Sequence, residues 1–286
     1  MSKFSNKIDF TVLVTARKAN PNGDPLNGNR PREDYEGHGE ISDVCIKRKI
    51  RNRLQDMGEE IFVQSDERCK DGYKSLSERA KNCKELADAL KAKDREAYVK
   101  SACEKWIDVR SFGQVFAFKD NSVSEGVRGP VSIHAGVSVS PIEIMDLQIT
   151  KSTNSEPSKD GKKSSDTMGT KHRVEFGLYR INGSINCQLA EKTNFSEEDG
   201  MKILEALKTL FENDASSARP DGSMEVCKVY WWRHNSAMGQ YSSAKVHRSL
   251  KIEEKEELDH TPCCFEDYTI SLQNLEGLEP QIYEGI

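Results

Sequence analysis

The segment ANPNGDPLNGNRPR, residues 19–32, sets the tightest limit on how this chain folds. Ten of its fourteen residues are Asn, Pro, Gly or Asp, which break regular structure because Gly and Asn tolerate left-handed backbone and Pro fixes φ and lacks a donor. The segment separates the apolar run IDFTVLVTAR from the cationic run DVCIKRKIRNRLQ. Ile8, Phe10, Val12 and Val14 alternate with Asp9, Thr11, Leu13 and Thr15, which predicts a strand over about 8–17. A helix is expected over about 42–57, with Ser42 as N-cap and Asp43 favouring the positive end of its dipole. A stiff, turn-rich loop therefore feeds directly into a basic helix.

Further along, residues 66–105 are rich in Lys and Glu, and Leu86, Leu90, Ala97 and Val99 recur at helical spacing, as in a helical insertion. WIDVRSFGQVFAF and VRGPVSIHAGVSVSPIEI read as β-rich segments interrupted by glycines, and TKSTNSEPSKDGKKSSDTMGTK has the composition of a mobile loop. HRVEFGLYRINGSI returns to strand, with Asn182–Gly183 as a candidate hairpin turn. Residues 196–214 form the clearest helix, capped by Ser196 with Glu197, Glu198 and Asp199 in its first turn, and MEVCKVYWW is a strand. With insertions set aside, the order is strand, helix, strands, helix, strand. That is the split βαβ arrangement of ferredoxin-like and RRM-like α+β domains, whose sheet commonly offers one face to single-stranded RNA.

Composition narrows the function. No run approaches the ~20 apolar residues of a membrane span, and the start lacks an apolar signal region, so a soluble, cytoplasmic protein without a membrane partner is expected. The eight cysteines include no C-x-x-C pair and the histidines no paired motif, which points to reduced, mostly buried thiols and no metal or other cofactor. The net charge of −5 is unevenly spread: residues 252–286 hold ten acids and one base, leaving the body mildly basic. Local basic stripes attract phosphate even on an acidic chain, because salt screens distant charge.

The basic residues are bunched. On the first helix Ile46, Ile50, Leu54 and Met57 share one stripe, flanked by Lys47 and Arg51 on one side and Lys49 and Arg53 on the other, with Arg48 opposite. Only Asp43 and Asp56 are acidic neighbours in sequence, so these ridges are read as phosphate contacts. In the loop, Asn20, Asn22 and Asn29 with the glycines could form an anion-binding nest, and Arg30 and Arg32 add charge. No Walker loop is present. Arg128 stands among glycines in GVRGPVS, and Lys171, His172 and Arg173 follow the mobile loop. His38, His134 and His172 are too scattered to announce catalysis, and Asp160 and Asp166 are the remaining candidates for assisting RNA cleavage.

NPNGDPLNGNRPR, SDVCIKRKIRNRL, DVRSFGQV, VRGPVS, TMGTKHRVEFGLY and LAEKTNFSEEDGMKILEAL occur in this order across nearly the whole chain. Together they resemble the backbone subunit of the type I-C CRISPR Cascade complex, of the repeat-associated RNA-binding superfamily. The resemblance implies an RRM-like (ferredoxin-like) palm over residues 1–57, 109–149 and 172–286, helical fingers over 58–108, and a flexible thumb loop over 150–171. It further implies a non-catalytic subunit that oligomerises along the crRNA spacer and presents guide bases to target DNA. Its partners would be crRNA, further copies of itself, other Cascade subunits and a recruited helicase–nuclease. Guide contacts would fall on the Asn20–Arg32 loop, the Lys47–Arg53 helix, Arg128 and Lys171. Related type III subunits cut RNA with a thumb aspartate, which keeps an endoribonuclease using Asp160 or Asp166 as the alternative. A free-standing RRM-like RNA-binding module is a third reading.

Overall fold

A computed structural model describes residues 2–118, 125–150 and 168–286. Strand β1 (Ile8–Ala19) is followed by three short strands, β2 (Gly23–Asp24), β3 (Arg30–Glu33) and β4 (His38–Ile41), and by helix α1 (Asp43–Asp56). Helices α2 (Leu76–Lys81), α3 (Lys84–Ala92), α4 (Arg95–Lys105) and α5 (Ile107–Phe112) precede β5 (Gly113–Phe116) and β6 (Glu125–Arg128). Then come β7 (Val131–Ile133), β8 (Gly136–Pro141), β9 (Ile144–Thr150) and the long β10 (Met168–Ile185). Helices α6 (Cys187–Thr193) and α7 (Glu197–Lys208), strand β11 (Met224–Arg233), helix α8 (Ser243–Ser249) and strands β12 (Leu250–Glu254), β13 (Tyr268–Leu272) and β14 (Pro280–Glu284) complete the chain.

The large sheet runs β14-β11-β1-β10-β8-β4-β3-β2, with β7 and β9 also paired to β10, and the pairings are antiparallel. β1 is its central strand and is buried on both faces. On one face Phe10, Val12, Val14 and Ala16 pack with Ile46, Ile50 and Leu54 of α1 and with Ile203, Leu204 and Leu207 of α7. Each large aliphatic or aromatic side chain withdrawn from water here contributes about 1.5–3 kcal/mol. On the other face Leu13, Leu178, Tyr230 and Trp232 pack against Val246, Leu250, Tyr268, Leu275 and Leu278. The C-terminal segment thus covers the face that an RRM-like sheet would offer to RNA. The acid-rich residues 252–286 are correspondingly not a free tail: they supply β12, β13 and β14.

Asp9, Thr11 and Thr15 of β1 are buried and need partners. Asp9 pairs with Lys7 Nζ at 3.1 Å and His234 Nε2 at 2.8 Å, and the Thr11 hydroxyl donates to Asn182 Oδ1 at 2.8 Å.

A second core lies in the helical insertion. Phe62, Leu86, Tyr98, Ala102, Trp106 and Phe116 are buried together, with the Phe62 ring 4.6 Å from Trp106 and 5.3 Å from Phe116. Ser75 and Asp94 cap α2 and α4 through their side chains, accepting from the N–H groups of Glu78 and Ala97.

Four sequence expectations need correction. WIDVRSF is helical, because Ile107 enters the first core while Trp106 and Val109 enter the second, and a turn of α5 is what lets neighbours serve both. Asn182–Gly183 is no turn: β10 runs straight through it, and Gly183 is small because Phe10 and Ser132 crowd it. The helix expected over 196–214 ends at Lys208, though Ser196 and Asp199 form a full capping box. The loop expected over 150–171 is bounded by paired strands, with Thr150 opposite Met168 and Leu147 opposite Lys171; residues 151–167 lie outside the described ones. Of the eight free cysteines, Cys83, Cys103 and Cys187 are buried and Cys263 is exposed. Burial pushes the Cys103 thiol up to about 11 and that of Cys227 to about 12.

Gly183→Ala would place a methyl 2.2 Å from Phe10 Cζ and 2.7 Å from the Ser132 carbonyl oxygen. It should lower unfolding free energy by about 1–3 kcal/mol in urea titration. Gly126→Ala, with open space around it, should change it by less than about 0.5 kcal/mol.

Candidate nucleic-acid interface

The turn-rich loop is held by its own side chains. Asn20 donates through Nδ2 to the Asn29 carbonyl at 2.6 Å, while its N–H donates to Ala218 O at 2.9 Å. Asn22 Oδ1 accepts from the Ser42 N–H at 2.8 Å and hydroxyl at 2.7 Å, which ties the loop to the α1 cap. Gly28 and Asn29 adopt left-handed backbone, with φ of 57° and 61°. They do not form an anion nest. The Asn27 and Asn29 N–H groups donate to the Asp24 carbonyl at 3.0 and 2.8 Å, the Leu26 N–H to its carboxylate at 3.1 Å, and the Arg30 N–H to Asn27 O at 2.9 Å. These four donors are used internally, with Asp24 as the acceptor that the sequence reading passed over.

Three segments distant in sequence meet beside this loop. Arg30 on β3 pairs with Asp146 on β9, and His172 Nδ1 on β10 lies 2.7 Å from the same carboxylate. Hydrogen bonds from Arg30 and His172 hold the Asp146 carboxyl at about 2. Lys171 Nζ donates to Ser217 O at 2.7 Å, joining β10 to the loop between α7 and β11, and Arg32 stands 3.5 Å from Asp24. The fold therefore gathers Asn20, Asn22, Asn29, Arg30, Arg32, Lys171 and His172 where β3, β9 and β10 meet. Sequence reasoning passed over two further cations. Arg17 is exposed on β1 opposite Phe176. Arg219 reaches Asp214 at 3.1 Å from a loop whose only signal was the turn-forming ARPDG run.

The basic ridges of α1 are differently employed. Lys49 is only 3% exposed and pairs with Asp214, with Phe211 beneath it. Burial lowers its pKa and the Asp214 carboxylate opposes that shift. Arg51 donates from Nε to Asp108 at 2.9 Å, and Arg53 reaches Thr209 at 3.0 Å and Asp56 at 3.2 Å. Lys47 pairs with Asp43 at 2.9 Å, and Arg48 donates to the Val63 carbonyl at 2.6 Å. The reading that these charges lack acidic partners is thus corrected. Two of the partners come from positions 108 and 214, which no local spacing reveals. Arg128 also stands apart, exposed on β6, which pairs with β5 and packs near α4, α5 and α6. Asp160 and Asp166 lie outside the described residues.

Residues 6–273 match the family model described as CRISPR-associated protein Cas7. The chain belongs to the Cas7 family. A CRISPR-associated protein Cas7 from Haloferax volcanii is 28% identical over 222 residues, covering 72% of this chain; the chain spans 63% of that relative's length. Among solved structures, a chain of a CRISPR RNA-guided surveillance complex in a pre-nicking state aligns with a TM-score of 0.50 at 17% identity, covering 79% of this chain and 75% of the other. A chain of a second CRISPR RNA-guided surveillance complex aligns at 0.44 and 15% identity over 79% and 68%. The first likeness places this Cas7 chain in the same fold, a mixed α/β architecture around a large antiparallel sheet.

Two outcomes follow for this Cas7 chain. Lys49→Ala removes one of the two cations that meet the largely buried Asp214, leaving Arg219 at 3.1 Å, and should cost about 1.5–3 kcal/mol in urea midpoint measurements. Asp146, depressed to about 2 from 3.8, contributes stability that is present above its unfolded pKa and lost as pH falls through its folded one. The stability difference between the native chain and Asp146→Asn should therefore persist at neutral pH and close between about pH 4 and pH 2.

Proposed function

We propose that this Cas7 chain is a non-catalytic, crRNA-binding backbone subunit of a type I-C Cascade surveillance complex. Several copies line up along the guide spacer in the cytoplasm and leave guide bases free to pair with target DNA. Other Cascade subunits complete the assembly, and a recruited helicase–nuclease destroys the DNA. The observation that carries this reading is the cationic surface of Arg30, Arg32, Lys171 and His172, in a chain that belongs to the Cas7 family. Arg30, Arg32 and Lys171 are cationic groups suited to phosphate oxygens and His172 offers a ring nitrogen beside them, and phosphate contacts hold an RNA without reading its sequence. A guide-holding protein needs that indifference, because every spacer differs.

On this reading the sheet is an RRM-like palm. The order β11-β1-β10-β7, with α1 and α7 on one face, has the split βαβ connectivity. Residues 58–108, with their own core, serve as fingers, and the segment 150–171, whose two ends pair in the β9–β10 ribbon, serves as the thumb. The guide runs along the meeting place of β3, β9 and β10, since the remaining face of the sheet is covered by α8, β12 and β13. Arg128, on β6, belongs to a separate point of contact.

The test is titration of the protein onto crRNAs of increasing spacer length, followed by mass photometry and recovery of the RNA. Copies should add stepwise with length, independent of spacer sequence, and the RNA should return intact. A single bound copy at every length would indicate a lone RNA-binding module, and RNA cut in the presence of magnesium would indicate the endoribonuclease. Arg30→Ala and Lys171→Ala should each reduce the slope of log affinity against log salt by about one, equally for all spacers.

A further inference from the structure

The C-terminal strap between β12 and β13 carries a feature that the guide-holding role does not use. Among the described residues, one group of mixed donors converges: His260, Cys263 and Asp267 bring a ring nitrogen, a thiol sulfur and a carboxylate oxygen within 4.8 Å of one another. The sequence reading passed over them because the cysteines lack C-x-x-C spacing. The relevant pattern is H-x-x-C-x-x-x-D, within HTPCCFED.

From this geometry we propose that His260, Cys263 and Asp267 bind one transition-metal dication of the zinc class. The His260 Nε2 lies 3.6 Å from Asp267 Oδ2, close to the ~3.3 Å that separates nitrogen and oxygen ligands on tetrahedral zinc. A modest rotation of the exposed Cys263 side chain completes a three-ligand set, with water in the fourth position. The donor types exclude the hard cations: calcium and magnesium take oxygen ligands, while a set of one nitrogen, one sulfur and one oxygen suits zinc or cobalt.

The surroundings are organised for this purpose. The other ring nitrogen of His260, Nδ1, lies 2.9 Å from Asp259 Oδ1. A carboxylate there orients the ring and leaves Nε2 as the lone-pair donor, the usual outer support of a metal-bound histidine. Asp267 is almost wholly buried at the end of a single 3-10 turn, Phe265–Asp267. Its Oδ2 accepts the Cys263 N–H at 2.7 Å and the Cys264 N–H at 3.0 Å, so the carboxylate fixes the backbone that carries the thiol. Pro262 is buried between the two outer ligands. The metal would close residues 260–267, the half of the strap that leads into β13, upon itself.

The test is titration of chelator-treated, full-length protein with cobalt(II), read by absorption. One equivalent should produce a thiolate-to-cobalt charge-transfer band together with tetrahedral ligand-field bands, and zinc should bleach both. Both should vanish in Cys263→Ser and in His260→Ala, whose exposed side chains can change without disturbing the core, while Cys227→Ser should retain them. Asp259→Asn should weaken metal affinity by about tenfold to a hundredfold. Absence of a thiolate band in the native chain, or its survival in Cys263→Ser, would overturn the assignment.

Discussion

Two side chains of one short helix, Asp108 and Arg110 on α5, hold the molecule's parts in register. Asp108 is fully buried and accepts from the Phe62 N–H at 2.7 Å, the Val63 N–H at 3.0 Å and Arg51 Nε at 2.9 Å. Two residues on, Arg110 grips Asp199 with Nε at 3.1 Å and Nη2 at 2.8 Å and donates to the Cys103 carbonyl at 3.2 Å. α1, the entry to the second core, α4 and the N-terminus of α7 thus meet at a single turn of helix. Charges buried this deeply persist only when their partners and remaining hydrogen bonds are complete. Burial by itself would raise the Asp199 carboxyl; Arg110 and the Ser196 N–H outweigh it and hold it below the usual range.

That junction determines which cations remain for a ligand. Arg51 is drawn inward by Asp108, and its guanidinium lies 5.0 Å from the Phe112 ring centre. Lys49 is drawn inward by Asp214, a position that also receives Arg219. α1 therefore serves the core on its apolar stripe and the junction on its basic flanks. The cationic surface is displaced to β3, β9 and β10, where Arg30 and His172 share only Asp146. Lys171 there donates to the Ser217 carbonyl, whereas Lys47, Lys49, Arg51 and Arg53 of α1 are paired with acids.

The covering of both sheet faces has a similar logic. Leu13, Leu178, Tyr230 and Trp232 would make a large apolar patch if open to water, and the C-terminal segment closes it with Val246, Leu250, Tyr268, Leu275 and Leu278. The acids of that segment fall mainly on its exposed positions, Glu253, Glu254, Glu256 and Glu257 among them. Those acids give the covered second face a negative outer skin.

Much of this was legible in local sequence. The alternation of β1, the Ser42 and Ser196 caps, the apolar stripe of α1 and the helical insertion all rest on contacts within a few residues, and spacing alone determines those. The six motifs that pointed to the family were legible in the same way. What only the tertiary structure decided was the fate of charged and small residues. Asp108 and Asp214 meet α1 from 57 and 165 residues away, and Gly183 meets the Phe10 ring across a strand pair. Period-two spacing in WIDVRSF mimics a strand because a helix wedged between two cores buries neighbouring residues on opposite sides. Ion pairs and close packing act through space, so a cationic run in one dimension cannot tell whether its partner is a phosphate or a distant aspartate; only the folded chain brings the candidates within reach.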